Sequence, residues 1–229
     1  MRSLKLTRSA LAVAAAVLLT AGLGTAAAAV TVYDNNFSSR AEFGEIIKSG
    51  GGKRCDRNFR KKSKAMRAAV KNSPTTCSFR PPVEGDNELP NHDVRVEGKI
   101  LKKTAKGLRG GAFLELSVRA GGGGVGYSLR VFPEKQRFEL RRGPSGGGFP
   151  VDGRDDAIKK INERNRLELV ATGAEIKALV NGKEVAKVDD GNPGQVSGTK
   201  IRFAVGSEKD KKGNVVATFK KVAVAVPDP

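Results

Sequence analysis

"ATGAEIKALVNGKEVAKVDD" runs from Ala171 to Asp190, and its reading decides the fold. Asn181-Gly182 sits between two stretches in which apolar and polar residues alternate. Both turn residues tolerate the positive φ of a type I′ turn, so the stretch predicts a two-stranded antiparallel hairpin. Strict alternation also says that one side of each strand packs and the other meets water.

The same period of two extends in both directions. It aligns Val94, Val96 and Ile100, then Leu114, Leu116 and Val118, then Val125, Tyr127, Leu129 and Val131. Phe138 with Leu140, Leu167 with Leu169, and Ile201 with Phe203 and Val205 continue it. In "VVATFKKVAVAV" the parity changes between Phe219 and Val222, which predicts a bulge at Lys220-Lys221. Turns rich in Gly and Pro separate these runs. Many short alternating strands and few helices predict an all-β chain built as an antiparallel β-sandwich or barrel.

The N-terminal end reads differently. Arg2, Lys5 and Arg8 precede an apolar run from Ala10 to Leu23, and small residues close it at Ala26-Ala27-Ala28-Ala29. This is the pattern of a cleaved signal peptide over residues 1–29, and the run is short for a bilayer span. The expectation is one exported, extracytoplasmic domain over residues 30–229. "VTVYDNNF" from Val30 reads as a first strand, and Ser39 with Glu42 as a capping box opening a short helix that Gly50-Gly51-Gly52 stops.

From Lys53 to Cys77 the apolar residues Phe59, Met66 and Val70 fall on one helical face. Lys53, Arg54, Arg57, Arg60, Lys61, Lys62, Lys64, Arg67 and Lys71 fill the rest, with Asp56 the one acid among them. The reading is a basic helical insertion at about 53–77, ended by Pro74. Cys55 and Cys77 bracket it, and an even pair in an exported chain predicts a disulfide that staples it to the body. Two cysteines and one histidine do not make a four-ligand zinc site, and no Cys-x-x-Cys redox pair is present.

The region from about Asp93 to Val226 resembles the concanavalin A-like lectin/glucanase jelly rolls, in particular laminin-G-like and keto-disaccharide hydrolase-like modules of bacterial exported proteins. The resemblance rests on "GYSLRVFPEKQRFELRR", "NRLELVATGAEIKALVNGKEVAKV", "GQVSGTKIRFAVG" and the closing strand "VATFKKVAVAV". It implies a jelly-roll sandwich and a function in glycan binding or cleavage. The stapled basic segment departs from the usual domain.

Glucanases of this fold carry two or three carboxylates alternating along one strand, so that acid and nucleophile flank a glycosidic bond. Here Glu115, Glu139 and Glu168 each stand alone on their strand, directed to the wet side. "GGGGVG" contains Gly121, Gly123 and Gly126 at dinucleotide spacing, but a strand follows where a helix is needed. His92 is the single histidine, next to Asp93 at a loop-to-strand junction, a place more often structural than catalytic. Calcium is the one cofactor alternative to none. Its candidate ligands are Asp189, Asp190 and Asn192, with Asp34 as a further carboxylate.

Composition then sets the partner class. Lys and Arg number 42 against 24 Asp and Glu, a formal net charge of +18, and the signal peptide accounts for only Arg2, Lys5 and Arg8 of the excess. With no Trp and two Tyr, stacking on neutral sugars is poorly served. Arginine forks suit carboxylate, sulfate and phosphate. The expectation is an exported, non-catalytic binding module for an anionic extracellular polymer or glycan, favoured over nucleic acid as partner. The expected ligand-binding residues are Arg57, Arg60, Lys61, Lys64, Arg67, Arg137 and Arg141. A glycan hydrolase and a purely structural envelope protein are the alternatives.

Overall fold

The computed structural model describes residues 30–71, 75–83, 91–120, 126–143, 151–191 and 200–226. The predicted signal peptide, Pro74 and Asn192 lie outside the described residues. Among the described residues fifteen strands form two antiparallel sheets, an eight-stranded and a seven-stranded one. The strands are β1 (Val30–Asn35), β2 (Ile47–Lys48), β3 (Cys55–Arg60), β4 (Ala65–Lys71), β5 (Thr76–Arg80), β6 (His92–Ile100), β7 (Ala112–Ala120) and β8 (Tyr127–Phe132). They continue as β9 (Arg137–Arg142), β10 (Val151–Arg154), β11 (Asn165–Thr172), β12 (Glu175–Val180), β13 (Lys183–Asp189), β14 (Lys200–Ser207) and β15 (Asn214–Val226).

The eight-stranded sheet has the order β13-β12-β11-β6-β15-β4-β3, and β1 also pairs with β15. The seven-stranded sheet has the order β10-β9-β8-β7-β14-β5-β2. The long strand β15 shows why the parity changed. Its first half, Asn214 to Phe219, pairs with β4, and its second half, from Val222, pairs with β1. Its register with β6 slips between Phe219 and Lys221, so the bulge falls where one partner gives way to the other. Phe219 and Val222 both stay in the core, and both lysines stay outside.

The Asn181-Gly182 turn forms as read. Asn181 has φ 54° and Gly182 φ 89°, both left-handed. Its side chain adds bonds that the sequence did not disclose. Asn181 Oδ1 accepts from the Arg166 amide at 2.9 Å, while Nδ2 donates to the Ala157 carbonyl and to Asn165 Oδ1.

The core lies between the sheets. Phe79, Phe203 and Phe219, from β5, β14 and β15, meet with centroids 4.9–6.3 Å apart, and all three are fully buried. Truncating one such ring to Ala costs about 3–5 kcal/mol.

A short helix, α1 (Arg40–Glu45), stands where the capping box placed one. Ser39 Oγ accepts from the Glu42 amide at 3.2 Å, but the Glu42 carboxylate turns to the Ser38 amide and hydroxyl instead of closing the box. This holds the Glu42 carboxyl below its ordinary range.

The basic helix does not exist. Residues 55–71 form a hairpin, β3 and β4, joined by a single 3-10 turn at Lys61–Ser63 with Lys64 left-handed at φ 43°. Phe59 and Met66 face inward together because they are cross-strand partners, not because they share a helical stripe. A hydrophobic spacing of seven is met equally by two residues opposite each other in a tight hairpin, and Ala65, Ala68 and Ala69 blur the period of two. The disulfide is present, with Cα atoms 5.2 Å apart. It joins β3 of the eight-stranded sheet to β5 of the seven-stranded sheet, so it ties the two layers rather than a helix to a body.

Candidate functional site

The outward-facing side chains of the seven-stranded sheet follow from its register. One row runs Ser78–Ala204–Glu115–Arg130–Glu139–Asp152 across β5, β14, β7, β8, β9 and β10. The next row runs Arg202–Ser117–Ser128–Arg141 across β14, β7, β8 and β9. Arg130, Arg137 and Arg141 gather at the β8–β9 end of this face, and Ser78, Ala204 and Ser117 toward the β5 end.

The tall half is locked. Glu139 lies between Arg137 and Arg141 and pairs with both, and Glu208 reaches the same arginines at 3.0 and 3.5 Å. Arg130 pairs with Glu115 and lies over the Phe113 ring at 4.5 Å; Arg137 lies over Phe132 at 4.0 Å. These guanidiniums are neutralised and stacked, so they form a rigid wall. The lone glutamates do point outward, but not into water. Glu139 and Glu168 are 5% and 7% exposed, each under two arginines, which for Glu168 are Arg95 at 3.2 Å and Arg166 at 3.7 Å.

Beside the wall is a depression of about 170 Å³ lined by Thr76, Ser78, Glu115, Ser117, Ser128, Arg130 and Arg202. Arg202 differs from the arginines of β8 and β9. It forms no ion pair among the described residues, and its Nε is buried without a hydrogen-bond partner. One open cationic fork therefore stands among four small hydroxyl side chains. Such a site can take a carboxylate or sulfate on the guanidinium and sugar hydroxyls on the serines and threonine.

The expected binding residues do not form one site. Arg137 and Arg141 belong to the wall. Arg57 faces inward with Cys55 and Phe59; it donates to the Ile46 and Phe43 carbonyls and lies over the Phe43 ring at 4.8 Å. It is consumed by structure, as its place opposite core residue Ala68 requires. Arg60, Lys61 and Lys64 surround the β3–β4 turn, and Arg67 lies on the outer side of the eight-stranded sheet. Ser78, Ser117 and Ser128 were missed, and Arg202 was not among the expected binding residues, because four separate strands deliver them and only register brings them together.

Among the described residues the calcium candidates form no metal-holding group. Asp189 is exposed, whereas Asp190 is buried, accepts from the Tyr127 hydroxyl and pairs with Arg142 at 3.0 Å. Asp34 is held by Lys221 at 3.0 Å. His92 is fully buried in β6, so it reaches neither outer face. Tyr127 is fully buried, and Tyr33 packs partly buried against the core.

No family model matches the chain, and no curated protein matches it in sequence. Solved structures do match in shape. A Bacillus subtilis protein of unknown function with a galectin-like fold aligns over 86% of this chain and 96% of its own, with a TM-score of 0.61 and 12% identity. A family 7 alginate lyase, A1-II′, solved with a bound substrate, covers 78% of this chain and 84% of its own at TM-score 0.54 and 14% identity. The carbohydrate-binding module CBM66 from Bacillus subtilis covers 79% and 95% at TM-score 0.51 and 14% identity. The chain thus has the concanavalin A-like jelly-roll fold.

Proposed function

We propose that this chain is an exported binding module for an anionic polysaccharide, which it takes up on the outer face of the seven-stranded sheet. The observation that carries the reading is Arg202, an unpaired guanidinium in a hydroxyl-lined depression next to a wall of neutralised arginines. An acidic sugar would place its carboxylate or sulfate on Arg202 and its hydroxyls on Ser78, Ser117 and Ser128. Glu115 would accept from a further hydroxyl and repel a second acid, which gives the site a preference among anionic units. The shared fold of a carbohydrate-binding module and an alginate lyase supports a glycan ligand. The disulfide fits an oxidising compartment, and among the described residues no helix is long and apolar enough to cross a membrane.

Affinity electrophoresis through gels containing a polyuronate or a neutral glucan tests this. The protein should be retarded by the polyuronate alone, and Arg202→Ala should weaken the retardation while the circular dichroism spectrum stays unchanged. Equal retardation of Arg202→Ala would overturn the site.

One observation favours a second reading, glycan cleavage: Glu115 lines the same depression. A hydrolase would need a second carboxylate. The next one in the row is Glu139, two strands away at about 10 Å, and it is clamped by Arg137 and Arg141. Glycan turnover that disappears in Glu115→Gln would replace the binding reading with an enzymatic one.

A further inference from the structure

The excess positive charge is not spread evenly over the molecule. On the outer side of the eight-stranded sheet, register places Lys99, Thr218, Arg67 and Asn58 in one row across β6, β15, β4 and β3. Arg60 follows on β3, and Lys103 comes from the turn after β6. Lys103 lies close enough to Arg67 and Arg60 that, after burial, these two cations are what depress its ammonium pKa. Past the bulge, Lys64 and Lys220 line a shallow depression with Lys221 and Glu97.

The acids nearby are already engaged. Asp56 binds Lys71 at 2.7 Å, Asp34 binds Lys221 at 3.0 Å, and Glu97 faces Arg164 at 3.8 Å. Among the described residues no ion pair reaches Arg60, Lys64, Arg67, Lys99, Lys103 or Lys220. Arg67 Nε and Asn58 Oδ1, on cross-strand neighbours, are both buried without a partner. Like charges gathered without counter-charges repel one another and destabilise the compact chain, unless an external anion offsets them.

We propose that this face is a second polyanion-binding surface, so that one molecule bridges two chains of an anionic polysaccharide. The proposal rests on the reading of the Arg202 face as the first. The two surfaces lie on opposite outer sides of a sandwich whose layers are about 10 Å apart, so a short ligand bound to one does not reach the other. They also differ in chemistry. The Arg202 face offers a depression with hydroxyls that can read a sugar, whereas the second face offers only spaced cations. The second face therefore responds to charge density and loses affinity steeply with salt, as counterion release requires.

The test compares three mature proteins: wild type, the triple variant Arg60→Gln/Lys64→Gln/Lys103→Gln, and Arg202→Ala. The three substituted cations of the triple variant are all exposed, so the fold should survive. Isothermal titration with a short oligouronate should give two ligands per wild-type molecule and one per molecule of either variant. Light scattering with long polyuronate should rise for wild type near charge equivalence and stay at the polymer's own level for the triple variant. One ligand per wild-type molecule, or undiminished cross-linking by the triple variant, would overturn bridging. If the first reading alone fails, Arg202→Ala keeps the wild-type stoichiometry while the triple variant still loses a ligand. The two failures are thereby separable.

Discussion

Cys55 and Cys77 sit on different sheets, and their bond crosses the core with Cα atoms 5.2 Å apart. Cys55 pairs with Val70 on one layer and Cys77 with Val205 on the other. Gly51 packs against this bridge: a Cβ there would lie 2.7 Å from Cys55 Cβ and 2.9 Å from the Thr76 carbonyl, and its φ of 89° is left-handed. The bond therefore holds the β3–β4 hairpin, which carries Arg60, Lys64 and Arg67, against the layer that carries Arg202.

Closing a chain separation of 22 residues contributes about 3 kcal/mol through the unfolded state. The double substitution Cys55→Ser/Cys77→Ser should lower the unfolding free energy by that order in a guanidinium titration. It should leave the far hairpin at Asn181-Gly182 unaffected by hydrogen exchange at low denaturant. An unchanged midpoint would show that the bond adds nothing to the layers' own packing.

Asn181→Gly keeps the left-handed turn but removes three side-chain hydrogen bonds. These bonds tie the turn to Arg166, Ala157 and the fully buried Asn165. Losing such hydrogen bonds costs about 0.5–1.5 kcal/mol each, so thermal unfolding should shift down clearly. If the turn geometry alone mattered, this variant would match wild type.

Glu139→Gln should destabilise the fold, by about 1–3 kcal/mol, because it leaves Arg137 and Arg141 to share Glu208 as their one carboxylate. Glu175→Gln, at an exposed pair of lysines, should leave stability nearly unchanged. Chemical denaturation of the two variants side by side checks the contrast. Equal effects would mean that the arginine wall is not held by its glutamate.

His92 gives a pH signature. Burial, and after it the Arg119 guanidinium, push its imidazole from 6.5 down to about 4. Between those values the unfolded chain binds a proton there that the folded chain refuses. The contribution is complete above pH 6.5 and is lost as pH falls toward 4, in total about 3 kcal/mol. His92→Gln should flatten that part of the stability-versus-pH curve relative to wild type. Parallel curves for the two proteins would remove His92 from the acid response.

The sandwich was legible because inward and outward residues alternate so regularly from Val94 to Val224. Even the bulge at Lys220-Lys221 was written in the parity of Phe219 and Val222. The hairpin at 55–71 was not legible as strands. Its alanines carry no periodic signal, and Phe59 to Met66 spans a turn as easily as two helical turns. The candidate site was less legible still. Arg137 and Arg141 stood out as basic residues, yet the structure spends them on Glu139 and Glu208. Arg202 became prominent only once register showed that it lacks a carboxylate and has serines as neighbours. Charge counts along a chain say how many cations exist, whereas pairing in three dimensions says which remain open.

The most direct measurement of the central claim is an amide NMR titration of residues 30–229 with a short oligouronate. The account predicts saturable shifts at Thr76, Ser78, Ser117, Ser128 and Arg202, with the Arg202 Nε proton moving to the position of a charge-assisted hydrogen bond. Shifts absent from these five residues, or the same shifts in Arg202→Ala, would contradict it.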